Sequence, residues 1–162
     1  MKQAICGLMA CVLLLGACVG CGQKEMKKEP SFPAALTTQT LLDSGAFSEQ
    51  LEELDPDIAV MLFCLNGDVS EYEGSKVYYS TGATAEIAAV ISVRDESKVP
   101  EVEEALKAWV NSQIEAEKDY RPAEVPKLEN AIIESRGFTV LLVVAADAAK
   151  ATEAIETIVV EK

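Results

Sequence analysis

An α+β domain is the fold class this sequence predicts. Three observations carry it: a change near residue 76 from helical to strand-like apolar spacing, two successive strand-turn-strand-helix stretches between residues 75 and 160, and the almost wholly apolar run Phe138 to Ala145. The expected architecture is a set of N-terminal helices followed by those two units. Four antiparallel strands would then form one sheet, with helices on one of its faces.

The chain begins with MKQAICGLMACVLLLGA, residues 1–17, in which one cation, Lys2, precedes an apolar run that closes on Gly16 and Ala17. A positive start, an apolar middle and a small-residue exit make the layout of an export signal. Counted through Gly22, the run also has about the 20 residues of a membrane span, but its second half is rich in Gly, Ala and Cys rather than bulky apolar residues. Leu15-Gly16-Ala17-Cys18 resembles the lipobox of bacterial lipoproteins, where small residues precede a cysteine that becomes the acylated N-terminus. Cys18 is the expected lipidation site. Cys21, whose preceding triplet lacks the Leu, is the alternative. Several acyl chains would hold the domain on a membrane where one alone binds marginally.

Residues 18–38 read as the lipidated N-terminus and a flexible tether, with a single domain over 39–162. The spacer GQKEMKKEPSFPAALTT (22–38) has no apolar period and would reach about 20–25 Å from its anchor. Lys24, Lys27 and Lys28 lie at its membrane end.

From Thr40 to Leu54, Leu42, Ala46, Phe47, Leu51 and Leu54 fall at helical spacing, with Gly45 as a break. Asp55-Pro56 then supplies an N-cap and a first-turn proline. The helix so begun would bury Ile58, Met61, Leu62, Cys64 and Leu65 and end at Asn66-Gly67. Lys76 to Ser80 and Ile87 to Val93 read as strands about a turn at Thr81–Thr84. Residues 98–118 form a helix burying Val102, Leu106, Trp109, Val110 and Ile114. After a loop at Tyr120–Pro126 the scheme recurs: strand Ala131–Ser135, turn Arg136-Gly137, strand Thr139–Ala145, helix Ala148–Ile158.

Composition narrows the chemistry. Acidic residues number 27 against 14 basic ones, a net charge of −13 that becomes −14 if Lys2 leaves with the leader. Such a surface repels phosphate backbones, so nucleic acid is excluded as a partner. The chain has no histidine, which removes Ser-His-Asp and Cys-His machinery and His-containing zinc sites. Only Cys64 follows Cys21, leaving the domain without an internal disulfide. Ser80-Thr81-Gly82-Ala83-Thr84 lacks the Lys of a Walker loop and leads into a strand, so it reads as a hairpin turn. Asn66-Gly67-Asp68 with Glu71 and Glu73 lacks the order and closing Glu of an EF-hand and reads as a capped helix end. No metal and no cofactor are expected.

The segments YYSTGATAEIAAV (78–90) and YRPAEVPKLENAI (120–132), behind the lipobox, resemble a domain-of-unknown-function family of small lipoproteins in Clostridia and related Firmicutes. The likeness extends over most of residues 40–160. Where that family often carries a paired Glu, Glu86 stands alone. The resemblance implies an exported, acylated protein on the outer face of a Gram-positive cell membrane, and it supplies no activity or catalytic residues.

The expected function is therefore a non-enzymatic envelope module that binds a protein partner or small ligand. Tyr78, Tyr79, Glu86, Tyr120 and Arg121 form its candidate surface, because Tyr and Arg combine area with hydrogen bonding. Tyr78 and Tyr79 must point to opposite sheet faces, so only one should be available. The alternative is a carboxylate-dependent wall hydrolase or lyase, which needs two carboxyls about 5–10 Å apart in a groove.

Overall fold

The computed structural model describes residues 31–82 and 84–158; the leader, Cys18, Cys21 and most of the tether lie outside them. Along the chain run α1 (Ala34–Asp43), β1 (Glu52–Glu53), α2 (Pro56–Leu62), β2 (Lys76–Tyr79), β3 (Ile87–Ser92), α3 (Val99–Tyr120), α4 (Val125–Glu129), β4 (Ile132–Arg136), β5 (Thr139–Val144) and α5 (Ala148–Thr157). The five strands form one sheet in the order β1-β2-β3-β5-β4, every neighbouring pair antiparallel. Each expected strand-turn-strand unit is present as a hairpin. The two hairpins meet along their second strands, with Ala89 opposite Leu142.

Two features of the expected sheet need correction. A fifth strand, β1, adds to the edge beside β2, and helices cover both faces rather than one. Ile87, Ala89, Ile91, Val140, Leu142 and Val144 pack with Val102, Leu106 and Trp109 of α3 and with Ala59 and Phe63 from the α2 region. The residues between them, Ala88, Val90, Leu141 and Val143, pack with Phe32 and Leu41 on one side and Ala151 and Ile155 of α5 on the other. Two-sided burial explains why β3 and β5 read as continuous apolar runs. A strand wetted on one face would alternate.

The N-terminal region also departs from expectation. The helix is displaced, running from Ala34 to Asp43 instead of Thr40 to Leu54. It stops at Ser44-Gly45, where Gly45 takes φ +71°, a backbone state that glycine adopts without steric cost. Ala46 and Leu51 are buried as foreseen, but from irregular chain leading into β1. Part of the presumed tether belongs to the fold as well. Phe32 is 2% exposed, its N–H donates to Thr139 Oγ1 at 2.8 Å, and the Arg136 guanidinium lies 4.3 Å from the centre of its ring.

Asp55 and Pro56 do start α2, as expected, but the helix ends four residues before Asn66-Gly67. Its end is a Schellman turn: Leu65 N–H donates to Val60 C=O at 2.9 Å and Cys64 N–H to Met61 C=O at 3.2 Å. Cys64 is the left-handed residue of that turn, at φ +51°, and it is exposed rather than buried. Ile58 and Met61 also face outward, while Ala59, Phe63 and Leu65 turn in. Asp68 and Glu71 cap the 3-10 turn Val69–Tyr72 reciprocally, and Glu73 pairs with Arg94.

A non-glycine residue in the left-handed region costs about 1–2 kcal/mol, partly offset in glycine by its looser unfolded chain. Cys64→Gly is therefore expected to raise stability by about 0.5–1 kcal/mol. Urea unfolding followed by circular dichroism checks this; a loss of stability would mean that the thiol contributes packing its exposure does not show.

Candidate functional site

The turn between β2 and β3, Ser80 to Glu86, is where the polar side chains of the domain converge. Hairpin geometry puts Ser80 at the end of one strand and Glu86 at the start of the next, with Ser80 N–H donating to Glu86 C=O at 3.0 Å. Gly82 sits between them at φ +132°, which a β-carbon would disfavour. Ser80 Oγ in turn accepts from Gly82 N–H at 3.3 Å and Thr84 N–H at 3.1 Å.

Three carboxylates from elsewhere in the chain fasten this turn. Glu49, placed by the chain between α1 and β1, accepts from Ser80 Oγ and, at 2.8 Å, from Thr84 Oγ1. Glu124, at the start of α4, accepts from Ala85 N–H at 2.8 Å. Glu117, in the last turn of α3, holds Arg121 through two bonds of 2.8 and 2.5 Å, and Arg121 donates on to Gly82 C=O at 3.0 Å.

Glu86 itself is 0% exposed. Its carboxylate accepts from Ser48 N–H at 2.8 Å, from Ser48 Oγ at 2.5 Å and from Lys127 Nζ at 2.8 Å. Lys127 also reaches Glu124 at 3.0 Å, so one ammonium joins two carboxylates. A buried charge persists only when paired and hydrogen-bonded, and Glu86 is both.

The titration behaviour follows from these partners. Hydrogen bonds from Ser80 and Thr84 hold the Glu49 carboxyl below its ordinary value, and the Arg121 guanidinium does the same for Glu117. Burial pulls Lys127 down, but bonds and charges from Glu86 and Glu124 outweigh it and hold the ammonium above its ordinary value. A carboxyl lowered in the folded state stabilises the fold fully above its unfolded value of 4.5, and that contribution disappears as pH falls through the folded value. The unfolding midpoint is thus expected to drop as pH is taken below about 4.5. Glu117→Gln should flatten the drop. An identical slope in that variant would remove the Glu117–Arg121 pair from the account.

The five candidate surface residues do not gather into one patch. Tyr78 packs beside the α1–α5 layer and donates to Glu53 Oε2 at 3.2 Å. Tyr79 lies on the opposite face, its ring edge-on to Trp109 with centroids 6.3 Å apart. Both are half-buried, so neither is simply core or simply free. Glu86 is interior, Arg121 is tied to Glu117 and Gly82, and Tyr120 is 81% exposed. Tyr120 and Arg121 are in contact, the guanidinium 5.8 Å from the ring centre.

Ser48, Glu49, Glu117, Glu124 and Lys127 were not foreseen as members of this cluster. Two local signals were present, the Glu117–Arg121 spacing of i to i+4 at the end of α3 and the Glu124–Lys127 spacing of i to i+3, the second at the start of α4, where Pro122 and Pro126 suggested a loop. Pro126 in fact occupies the first turn of α4, where a missing N–H costs nothing.

Chemically, each carboxylate of the cluster accepts from at least one internal donor, and its one lysine is protonated between two of them. That arrangement ties Ser80, Gly82, Thr84 and Ala85 to distant parts of the chain. Among the described residues no group of three carboxylates or thiols is placed to hold a metal ion, and no helix is long and apolar enough to cross a membrane. A family model described as a domain of unknown function (DUF4358) matches residues 49–145, from Glu49 of the cluster to the end of β5. No curated protein and no solved structure gives a match.

Proposed function

The chain belongs to the DUF4358 family, and from that premise we propose that its domain is a non-enzymatic binding module held outside the cell membrane by lipid on Cys18. The observation that carries the reading is how Glu49, Glu86, Glu117 and Glu124 are used. Each is bonded to an internal donor, which ties Ser80, Gly82, Thr84, Ala85 and Glu86 to the rest of the fold instead of leaving acid and base groups for substrate. Beside the Arg121 anchor of that turn, Tyr120 offers an exposed ring, the kind of amphipathic anchor that dominates recognition surfaces. The lipobox-like Leu15-Gly16-Ala17-Cys18 and the apolar leader support the location.

Two measurements test the parts separately. Cys18→Ala should abolish labelling by a clickable palmitate analogue and move the protein from the membrane to the soluble fraction. Labelling that survives there and vanishes in Cys21→Ala would move the anchor three residues on. Tyr120→Ala should leave the melting temperature within about 1 °C, as for most exposed substitutions. It should also remove cross-linked species that the wild-type protein is expected to form in cells. An unchanged cross-linking pattern would discard this surface.

A further inference from the structure

A second surface, on the α2–α3 side of the sheet, is apolar, grooved and bordered by negative charge. Leu62, Phe63 and Cys64 form one wall of a depression of about 380 Å³ whose other wall is Ala105, Ala108, Trp109 and Gln113. A second depression of about 320 Å³ continues it along α3, sharing Ala105 and Ala108 and ending between Leu65, Tyr72 and Val102. From Glu101 to Gln113 the trough follows about 18 Å of helix, three turns and a little more. The apolar surface extends outward along α2, where Met61 is 75% and Ile58 49% exposed.

The charged groups that line it have one sign. Glu101 and Glu104 line the trough and no lysine or arginine does. Asp57 stands one turn before Met61 on the exposed side of α2. Two ammonium groups stand near it, Lys98 and Lys107, and they are tied to Glu71 and Glu103. A second copy of this chain, with its net charge of −13, would on balance be repelled from that border. A segment with apolar residues on one face and Lys or Arg on the other meets both requirements.

We propose that the α2–α3 trough docks a basic amphipathic helix of about 12 residues from a partner protein, its apolar side chains resting on Leu62, Ala105 and Ala108 above the Phe63–Trp109 ring pair and its cations facing Glu101, Glu104 and Asp57. This is helix-in-groove recognition, with three or four apolar anchors over three turns. The surface occupies a different stretch of α3 from Tyr120 and does not depend on the lipid anchor, so either reading can fail without the other.

Trp109 is the chain's single tryptophan and lies in the trough wall, so its emission reports occupancy. The probe is a tryptophan-free 14-residue peptide with leucines on one helical face and lysines on the other. It is compared with its Glu-for-Lys counterpart and with a permutation of the same composition that is not amphipathic. The expected result is a saturable shift of Trp109 emission by the Lys peptide alone, weakened at least tenfold in Ala108→Lys. Ala108 is exposed on its helix, so the variant should fold, and an unchanged circular dichroism melt checks that. Met61→Gln, also exposed, should weaken binding several-fold and keeps the test open if Ala108→Lys misfolds. Equal shifts with the permuted peptide, binding unaffected by both substitutions, or concentration-dependent self-association of the protein alone that Ala108→Lys abolishes would each overturn the proposal.

Discussion

Lys127→Ala is expected to cost about 3 kcal/mol of folding stability, the low end of the range for removing one partner of a buried ion pair. The substitution leaves Glu86, with 0% exposure, holding a charge that only Ser48 still faces at close range. Those two remaining bonds are the reason the loss should not reach the upper end of about 5 kcal/mol. Replacing both partners tests the cause. Glu86→Gln combined with Lys127→Met removes the stranded charge, and the pair should lose less than the sum of its single substitutions by at least 1 kcal/mol. Urea titration at pH 7 of wild type, Lys127→Ala, the two single substitutions and the double measures these differences. A Lys127→Ala variant within about 0.5 kcal/mol of wild type would show that water or a rearranged side chain reaches Glu86 and that the turn is not held as described.

The second large effect concerns where the domain begins. Phe32→Ala should cost about 3–5 kcal/mol, the usual range for deleting a buried aromatic ring. The ring belongs to the buried cluster that includes Leu41, Leu141 and Val143. A chain starting at Gln39 loses more, because it lacks Phe32, half of α1, and the bonds from Phe32 N–H to Thr139 and from Phe138 N–H to Ser31 Oγ. It is expected to lack a cooperative melt, whereas one starting at Ser31 should melt like the full domain. A Gln39 start that unfolds at the same temperature as the longer chain would return residues 31–38 to the tether.

The hairpins were legible because each carries its own instruction. Lys76 to Tyr79 and Ile87 to Ser92 are rich in strand-forming residues, and Gly82 and Gly137 mark turns that require positive φ. Helix α3 was legible from Val102, Leu106, Trp109 and Val110 falling on one stripe. What the local pattern does not encode is pairing across distance. Glu49 meets Ser80 and Glu86 meets Lys127 over separations of 31 and 41 residues, and no periodicity in either segment records those contacts. Phe32 meets Thr139 across 107 residues, so its isolated aromatic ring in a Pro- and Ser-bearing stretch looked like tether. Strand β1 escaped notice because two glutamates carry no strand propensity; the open edge of β2 recruits them. Cys64 shows the opposite case. Its hydrophobic character argued for burial, while the backbone needed a residue to turn through φ +51° and placed it outside.

The strand order carries a consequence for the timing of folding. Strand β3 has β2 on one flank from the start, but its other flank stays open until β5 has been made, fifty residues later in the chain. The layer beneath α1 is likewise incomplete until Thr139 and Leu141 arrive. The last hairpin thus works as a keystone, because both layers draw core residues from β5: Val140, Leu142 and Val144 on one face, Leu141 and Val143 on the other. A polypeptide that stays threadable until nearly its full length has been synthesised is well matched to passage through a narrow channel ahead of folding, as the export proposed above would require.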